Sequence, residues 1–203
     1  ISFAADTAAG EFTQLLNVVF GNISIKPGYR VEDLTLPDSM LERFKGPRFG
    51  RSGLRKKVKV GGRPLLFSAL KPMGLSSQQL ADLAYKMALG GIDLIKDDHG
   101  LTDQVYAPYQ ERVRLCAAAV ERANRETGFS CIYLANISAP HNQVLERAYY
   151  AREQGAGGLL IAPGLVGFDT MKTVADDENI DLPLIAHPAW LGTYVMSPLH
   201  GVS

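Results

Sequence analysis

The sequence predicts an α/β fold with a parallel sheet, and three observations support this: the order of its segments, the places of its glycines and the length of its repeating unit. From about residue 64 onward, apolar runs with strand character alternate with amphipathic helical segments. Strands that alternate with helices in this way pair in parallel through right-handed crossovers. Three predicted helices are followed by Gly90, Gly128 and Gly155, and glycine commonly ends a helix.

Strand-and-helix units are predicted throughout this part of the chain. The strands are residues 64–70, 92–95, 131–134, 158–162 and 182–186, and the helices are residues 76–89, 108–126, 142–154 and 169–175. A spacing of about 30 residues per unit matches a (β/α)8 TIM barrel of about 250 residues. We therefore predict the first five β/α units of such a barrel. Periodicity alone is also compatible with an open doubly wound sheet.

The chain before residue 64 follows a different pattern. Residues 15–25 predict a strand that ends a preceding domain, and residues 37–63 form a stretch rich in Pro, Gly, Arg and Lys that predicts a linker. We assign residues 1–45 to the end of an N-terminal α+β domain with its linker, and residues 46–203 to a partial TIM-barrel catalytic domain. Because five strands do not close a barrel, and because the first residue is not Met, we expect this chain to be part of a longer protein.

Composition excludes several classes of function. Lys plus Arg equals Asp plus Glu at 21 each, so no excess of positive charge predicts binding to nucleic acid. No apolar run approaches the ~20 residues of a membrane span. Cys116 and Cys131 have neither metal-binding nor redox spacing, so we interpret them as buried free thiols and expect a reduced, cytoplasmic compartment.

Polar and ionisable residues follow the predicted strands. At the carboxyl ends of four strands lie Lys71, Lys96-Asp97-Asp98-His99, Asn136 and His187. Because the carboxyl ends of parallel strands meet at one edge of the sheet, we expect these side chains to converge there. Alternation along the second strand predicts that Lys96 and Asp98 face one side, and that Asp97 and His99 face the other.

The cluster after the second strand predicts a metal-assisted enzyme acting on a small polar substrate. Four adjacent ionisable groups are costly to bury unless they pair or bind a metal. Two carboxylates in an oxygen-rich setting suit Mg²⁺. A lysine near the metal can act as a base, because burial and neighbouring positive charge lower the pKa of an amine.

Each of these residues, taken alone, also has a structural explanation. His187 is compatible with a hydrogen-bonded structural histidine, and Lys71 is compatible with a solvated strand end. The Lys-Asp-Asp-His cluster is compatible with a salt-bridged loop. The functional interpretation depends on their conjunction at the same end of consecutive strands.

Two lysine motifs resemble those of the RuBisCO large-subunit family. Residues 62–66, followed by Lys-Pro-Met-Gly-Leu-Ser at 71–76, are similar to the first barrel strand of that family. Gly-Gly-Ile-Asp-Leu-Ile-Lys-Asp-Asp at 90–98 is similar to its second strand. Further similar segments are residues 30–34 and 44–47, which match the connection between domains, and residues 147–155, which match the helix before strand four. The resemblance covers nearly the whole chain, and it implies a TIM barrel preceded by the end of a small ferredoxin-like α+β domain.

The resemblance also implies roles for individual residues. Lys96 would form a carbamate with CO₂ and bind Mg²⁺ together with Asp98, and Lys71 would be the base that enolises a sugar. His187 would lie near the phosphate or hydroxyl groups of the substrate. Asn22 would reach the active site of a neighbouring subunit, which implies a homodimer or dimer-based oligomer with a shared site. Asn22 and Asn136 are both assigned to substrate binding.

Departures from the family pattern predict a RuBisCO-like protein rather than a carboxylase. The 71–76 motif is one residue shorter than in carboxylases and has lost its second lysine. His99 replaces an acidic metal ligand; it stays a candidate ligand, although imidazole is neutral and softer than carboxylate. Pro188 replaces the arginine that follows the strand-five histidine.

Several functions are compatible with these residues. The first is a Mg²⁺-dependent enolisation that ends in isomerisation of a sugar phosphate, such as a methylthio-pentulose phosphate. The second is decarboxylation of a branched 3-oxo sugar acid, a lyase reaction, and genuine carboxylation of ribulose bisphosphate is a further alternative. A member of a different class, without catalysis and with a structural role, is disfavoured because the Lys-Asp cluster is retained.

Overall fold

The computed structural model describes residues 1–194 and 201–202. These residues divide into two compact units. One consists of residues 47–187, and the other consists of residues 1–46 with the described residues after 187. Across the described residues, the helices are too short or too polar to span a bilayer.

The unit that contains the amino terminus is mainly helical. It comprises a 3-10 turn at Ala5–Ala8, helix α1 (Phe12–Phe20), a 3-10 turn at Asn22–Ile25, strand β1 (Arg30–Val31), helix α2 (Asp38–Leu41) and a 3-10 turn at Leu191–Tyr194. Strand β1 pairs in parallel with Gly201–Val202. The strand predicted at residues 15–25 is therefore wrong. Phe12, Leu15 and Val19 recur at the helical spacing of three to four residues, and they pack in one cluster with Met40. The ferredoxin-like assignment of this region stays a prediction.

The second unit carries the alternating pattern that the sequence predicts. Its elements are α3 (Gly50–Val58), β2 (Phe67–Leu70), α4 (Ser77–Leu89), β3 (Leu94–Asp97), α5 (Tyr109–Thr127), β4 (Ile132–Asn136), α6 (His141–Glu153), β5 (Gly158–Ile161), α7 (Pro163–Val166), α8 (Phe168–Asp176) and β6 (Leu184–Ala186). The strands form one sheet in the order β2-β3-β4-β5-β6, and every neighbouring pair is parallel. The parallel α/β fold is confirmed. Strands β2 and β6 lie at the two edges of this sheet, so the closed barrel stays a prediction.

The prediction of a linker at residues 37–63 is wrong for its second half, because α3 lies there. Its sequence is strongly basic, but Leu54 and Val58 are one helical turn apart. Both belong to an apolar cluster with Leu94 and Leu134 of the sheet. Helix α3 therefore packs against one face of the sheet at Leu94 and Leu134. The basic residues between its apolar positions make this helix hard to recognise in the sequence.

The opposite face of the sheet packs against the longer helices. Ile95, Leu159 and Ile161 are fully buried there, in the same cluster as Val113 of α5 and Val144 of α6. Full burial of apolar strand residues against helices is the usual environment of a parallel sheet. Each strand thus has two faces with different neighbours, α3 on one side and the longer helices on the other.

Helix α4 begins immediately after the motif at 71–76. The Ser76 hydroxyl accepts a hydrogen bond from the Gln79 N–H, and the Gln79 side chain accepts one from the Ser76 N–H. This capping box satisfies two backbone donors that a helix start otherwise leaves unpaired. It fixes where the chain turns from the Lys71 end of β2 into α4.

Both cysteines are buried and free, as the sequence predicts. Burial raises the pKa of the Cys116 thiol well above its usual range, and it raises the pKa of Cys131 to about 12. Both thiols therefore stay protonated near neutral pH, and neither is suited to nucleophilic chemistry.

Asp93 is a buried carboxylate that joins the chain before β2 to the start of β3. Its oxygens accept hydrogen bonds from two nitrogens of the Arg63 guanidinium at 2.6 and 2.7 Å and from the Leu66 N–H at 2.7 Å. The Arg63 hydrogen bond and the Leu66 N–H lower the pKa of Asp93 against the opposing effect of burial. Asp93 therefore stabilises the fold in its ionised form.

We expect Asp93→Asn to lower the free energy of unfolding by about 2 kcal/mol at pH 7, because a buried acceptor of charge-assisted hydrogen bonds is lost. The pKa of Asp93 is lower in the folded than in the unfolded state, so its contribution is complete above the unfolded value of about 3.9 and is lost as the pH falls through the folded value. The difference between wild type and variant should therefore shrink below about pH 4. Urea unfolding across this range measures it.

Asp82→Asn is the matched control, because Asp82 is an exposed carboxylate on α4. Its effect should stay within about 0.5 kcal/mol at each pH. A destabilisation by Asp93→Asn that is independent of pH would contradict the assignment of the ionised carboxylate as the stabilising form.

Candidate active site at the carboxyl ends of the strands

Most of the predicted site residues converge beyond the carboxyl ends of β2, β3 and β6. The Lys71 Nζ lies 3.0 Å from Asp98 Oδ2, and the His99 Nδ1 lies 3.3 Å from Asp98 Oδ1. The rings of His99 and His187 stack, with 4.3 Å between their centroids and 10° between their planes. Lys96 is close enough to Lys71 and Asp98 for their charges to shift its pKa. The predicted convergence of Lys71, Lys96, Asp98, His99 and His187 is found in the structure.

Asp98 is the anionic centre of this group. It is buried, and its Oδ1 accepts a hydrogen bond from the Gly100 N–H at 3.0 Å. Burial raises the pKa of this carboxyl, but the Gly100 N–H and the Lys71 ammonium together lower it below its usual value. Asp98 is therefore ionised at neutral pH, and its Oδ2 faces the cationic side of the cluster.

Lys96, rather than Lys71, is the lysine that burial affects. Its side chain is partly buried, and its ammonium donates to the Asp97 carbonyl at 3.1 Å. Burial lowers the pKa of Lys96, and Lys71 lowers it further, against the opposing effect of Asp98. The Lys71 side chain, in contrast, is 67% exposed and reachable from solvent. Burial therefore lowers the cost of forming the neutral Lys96 amine, the form that reacts with CO₂.

The predicted orientation of His99 is wrong. Alternation places it opposite Asp98, but both lie in the same group of side chains. Strand β3 ends at Asp97, and the Leu101 N–H donates to the Asp98 carbonyl at 3.0 Å, which closes a turn. Strand alternation no longer applies once the backbone turns, so His99 returns toward Asp98 and His187.

Asp97 faces the other side of the sheet, as alternation predicts. It is fully buried, and its Oδ2 accepts hydrogen bonds from the Arg112 Nε at 3.2 Å and the Asn136 N–H at 3.0 Å. Its Oδ1 accepts from the Tyr133 hydroxyl at 2.7 Å. Asp97 is therefore paired with its own cation on the opposite side, and it lies apart from the predicted metal ligands Lys96, Asp98 and His99.

Arg112 is the functional candidate that the sequence interpretation missed. Its guanidinium is fully buried and also donates to the carbonyls of Ala107 at 2.6 Å and Thr102 at 2.7 Å. Burial lowers the pKa of Arg112, but Asp97 more than offsets this and raises it. A signal was present: Arg112 lies among the apolar positions of α5, next to Val113 on its buried face.

The two predicted substrate-binding asparagines have different surroundings. Asn136 is buried at the end of β4, where its amide donates to the carbonyls of His99 at 3.0 Å and Leu101 at 2.9 Å, and its oxygen accepts from the Ser138 N–H at 3.1 Å. The structure thus shows Asn136 supporting the loop after β3. Asn22 is exposed in the other unit. Roles for both in substrate binding stay predictions.

The residues fit Mg²⁺ only if Lys96 carries a carbamate. Within residues 1–194 and 201–202, no three His, Cys, Asp or Glu side chains form a group that could hold a metal ion. A carbamate on Lys96 would add anionic oxygen beside the Asp98 carboxylate. Mg²⁺ is usually held by one or two carboxylates and leaves its other positions to water and substrate, so this donor set is sufficient.

Comparison with known proteins identifies the family. Residues 50–203 match the family described as ribulose bisphosphate carboxylase large chain, catalytic domain, and the chain belongs to this RuBisCO large-chain family. It is 41% identical over 199 residues to the 5-methylthioribulose-1-phosphate isomerase of Rhodospirillum rubrum, covering 98% of this chain and 53% of that protein. It is 38% identical over 206 residues to the 2,3-diketo-5-methylthiopentyl-1-phosphate enolase of Geobacillus thermodenitrificans, covering 100% of this chain and 48% of that protein.

A solved structure gives the same result. The RuBisCO-like protein of Rhodopseudomonas palustris superimposes with a TM-score of 0.88 at 42% sequence identity, over 93% of this chain and 54% of that one. The chain spans about half the length of the relatives it matches. The resemblance of the two lysine motifs to the RuBisCO family is confirmed.

Proposed function

We propose that this chain is part of a RuBisCO-like, Mg²⁺-dependent enzyme that enolises a phosphorylated keto sugar, with isomerisation of a methylthio-pentulose phosphate as its reaction. The observation that carries the proposal is the contact of Lys71 with Asp98, beside the partly buried Lys96, at the carboxyl ends of β2 and β3. The relatives of similar sequence include proteins named for an isomerase and an enolase of methylthio-pentose phosphates. Together these favour proton transfer beside a carbonyl.

The roles of the two lysines follow from their environments. The Lys96 ammonium would first lose a proton, and the neutral amine would then bond to the carbon of CO₂ and release a second proton, so that a cation becomes an anionic carbamate. With Asp98, this carbamate would hold Mg²⁺, which when bound polarises the substrate carbonyl and stabilises the developing enediolate charge. As the family resemblance implies, we assign the removal of the proton beside the carbonyl to Lys71, which is exposed at the edge of this group. In this role Lys71 acts as a neutral amine, so its ion pair with Asp98, 3.0 Å long in this structure, must give way to the proposed contact of Asp98 with Mg²⁺.

The paired imidazoles of His99 and His187 lie beside Asp98 in the same group of side chains. Burial lowers the pKa of His187, and the neighbouring His99 and Lys96 lower it further. A neutral imidazole both donates and accepts hydrogen bonds, which suits the hydroxyl groups of a sugar. We propose that His187 positions the substrate, and that His99 either binds the metal or contacts the substrate beside it.

Decarboxylation of a 3-oxo sugar acid is the second candidate. Loss of CO₂ from such an acid produces the same type of enediolate, so the same residues serve it. The observation that favours it is Pro188, which stands where the family has an arginine and therefore suits a substrate with fewer phosphates. The same replacement, together with the loss of the second lysine from the 71–76 motif, disfavours carboxylation of a bisphosphate.

We further propose that the protein acts in the cytoplasm as a homodimer or dimer-based oligomer. Two free buried thiols support a reduced compartment. The family resemblance assigns Asn22 to the active site of a neighbouring subunit, and its exposed position leaves it available for that role.

The first test measures deuterium exchange with the full-length protein in D₂O, in the presence of Mg²⁺ and bicarbonate. We expect Mg²⁺-dependent deuterium incorporation next to the carbonyl of a methylthio-pentulose phosphate, followed by NMR. Release of CO₂ from a 3-oxo sugar acid, with deuterium in the product, would instead establish the decarboxylase. If metal binds but no compound of either class exchanges, the proposed chemistry is wrong.

The second test replaces Lys96 by Met. We expect loss of Mg²⁺-dependent exchange, and loss of the carbamate signal that wild type gives in ¹³C NMR with labelled bicarbonate, because only an amine reacts with CO₂. Lys86→Met is the control, since Lys86 is exposed on α4. Wild-type activity in Lys96→Met would rule out the carbamate assignment.

The third test replaces His99 by Ala. If His99 binds the metal, affinity for Mn²⁺, measured by electron paramagnetic resonance, should fall by at least about 10-fold. His141→Ala is the control, because His141 is an exposed histidine at the start of α6. Unchanged affinity with a raised KM would place His99 on the substrate instead.

A further inference from the structure

The loop that carries Asp98 and His99 has little regular structure of its own. It runs from the end of β3 to the start of α5, over residues 98–108. Its internal hydrogen bonds are short-range, such as Leu101 N–H to the Asp98 carbonyl and Ala107 N–H to the Gln104 carbonyl. A site that needs its groups held within a fraction of an ångström requires support from more rigid elements.

Arg112 provides that support from helix α5. Its three donating nitrogens contact three different points: the Asp97 carboxylate at the end of β3, the Thr102 carbonyl in the loop and the Ala107 carbonyl near the loop's end. The Asp97 carboxylate among these contacts lies on the side of β3 opposite Lys96. The planar guanidinium directs several donors in fixed directions, which an ammonium does not.

Strand β4 supports the same loop from a second direction. Asn136 donates to the carbonyls of His99 and Leu101, and its own N–H donates to Asp97. The Tyr133 hydroxyl occupies the remaining oxygen of Asp97. The carbonyl of His99 is therefore fixed from β4 and the loop beyond it is fixed from α5.

Stability alone is a weak reason for this arrangement. A fully buried ion pair pays a large desolvation cost, and apolar replacements of similar volume are often as stable or more stable. Buried charge does, however, fix one geometry where apolar packing tolerates several. We propose that Arg112, acting through Asp97, is a positioning residue that holds the 98–108 loop in the shape that brings Asp98 and His99 against Lys71 and His187.

The inference rests on the proposed function, since it concerns the same site. It differs from a purely structural role in what a variant should change. Arg112→Lys keeps a cation for Asp97 but does not reach the Thr102 and Ala107 carbonyls together with it. The fold should therefore persist while the loop loses two of its anchors.

The test compares full-length wild type with Arg112→Lys and Arg112→Met. The control is Arg114→Met, because Arg114 is an exposed arginine on the same helix. The readouts are the Mn²⁺ dissociation constant, amide hydrogen exchange of residues 98–108 against residues 132–136, and the kcat and KM of deuterium exchange. All are measured well below the unfolding temperature of each variant.

For Arg112→Lys we expect Mn²⁺ affinity to fall about 10- to 100-fold, as when a residue that orients a ligand is lost. Amide exchange should rise about tenfold in the 98–108 loop and stay unchanged in β4. The kcat should fall more than KM rises, because the site is misplaced rather than blocked. Wild-type affinity and loop exchange in a variant that is merely less stable would overturn the proposal.

The outcomes separate this inference from the proposed function. If wild type binds no Mn²⁺ and catalyses no deuterium exchange into the substrate, the proposed function fails. Amide hydrogen exchange of the protein then decides the role of Arg112. If amide hydrogen exchange in the 98–108 loop is the same in Arg112→Lys as in wild type, the positioning role is overturned in that case too. If Arg112→Met fails to fold, Arg112→Lys supplies the same comparison.

Discussion

Asp97 and Arg112 are both fully buried, and their contact joins a strand, a helix and the loop between them. The Asp97 carboxylate also accepts hydrogen bonds from Tyr133 and from the Asn136 backbone, so β4 belongs to the same network. An uncompensated charge at this depth would cost several kcal/mol, which means that each partner requires the other. The path of the chain after β3 depends on this pair, and with it the position of Asp98.

The pleat of β3 places the proposed positioning residues and the proposed active-site residues on opposite sides of the strand. Asp97 faces α5 and is enclosed by donors, whereas Lys96 and Asp98 face the open side of the strand ends. The register places Lys96 beside Ala69 of β2, which brings the end of β2 and the following Lys71 to the same edge. In a parallel sheet whose neighbouring strands are aligned in this way, the carboxyl ends of all strands lie at one edge. Side chains that are distant in sequence therefore lie close together there.

Local pattern was sufficient for the strands and longer helices from β2 onward, but not for the elements that precede β2. The strands and longer helices from β2 onward have continuous apolar runs or a clear helical spacing of apolar residues, bounded by glycine or by a cap such as Ser76. The apolar residues of 12–20 include adjacent ones, such as Leu15-Leu16 and Val18-Val19-Phe20, which fit either a strand or a helix, and their packing with Met40 decides between them. Helix α3 was hidden because a single pair of apolar residues, Leu54 and Val58, is too short a signal among so many basic residues.

The location of the candidate site was predictable from the sequence, but the orientation and pairing of its side chains were not. The rule that reactive residues follow parallel strands located Lys71, Lys96, Asp98 and His187. The orientation of His99 depends on a turn at Asp98, and the isolation of Asp97 depends on an arginine fifteen positions further along the chain. Alternation therefore assigned the side of Asp97 correctly but not its partner, and it assigned the side of His99 incorrectly because it does not include the turn.

The replacement of an acid by His99 changes the electrostatics of the proposed metal site. Before carbamylation, the described cluster sets the single carboxylate of Asp98 against Lys71 and Lys96, and such a group has no excess negative charge for a divalent cation. Conversion of a Lys96 ammonium to a carbamate changes the local charge by two elementary charges. Among the described residues of this cluster, Asp97 is paired with Arg112 and so adds no second carboxylate beside Asp98. Under the proposed function, metal affinity must therefore be coupled to CO₂ more tightly than in a site with an additional carboxylate. Linkage makes that coupling reciprocal: bound metal retains the carbamate by the same factor as the carbamate retains the metal.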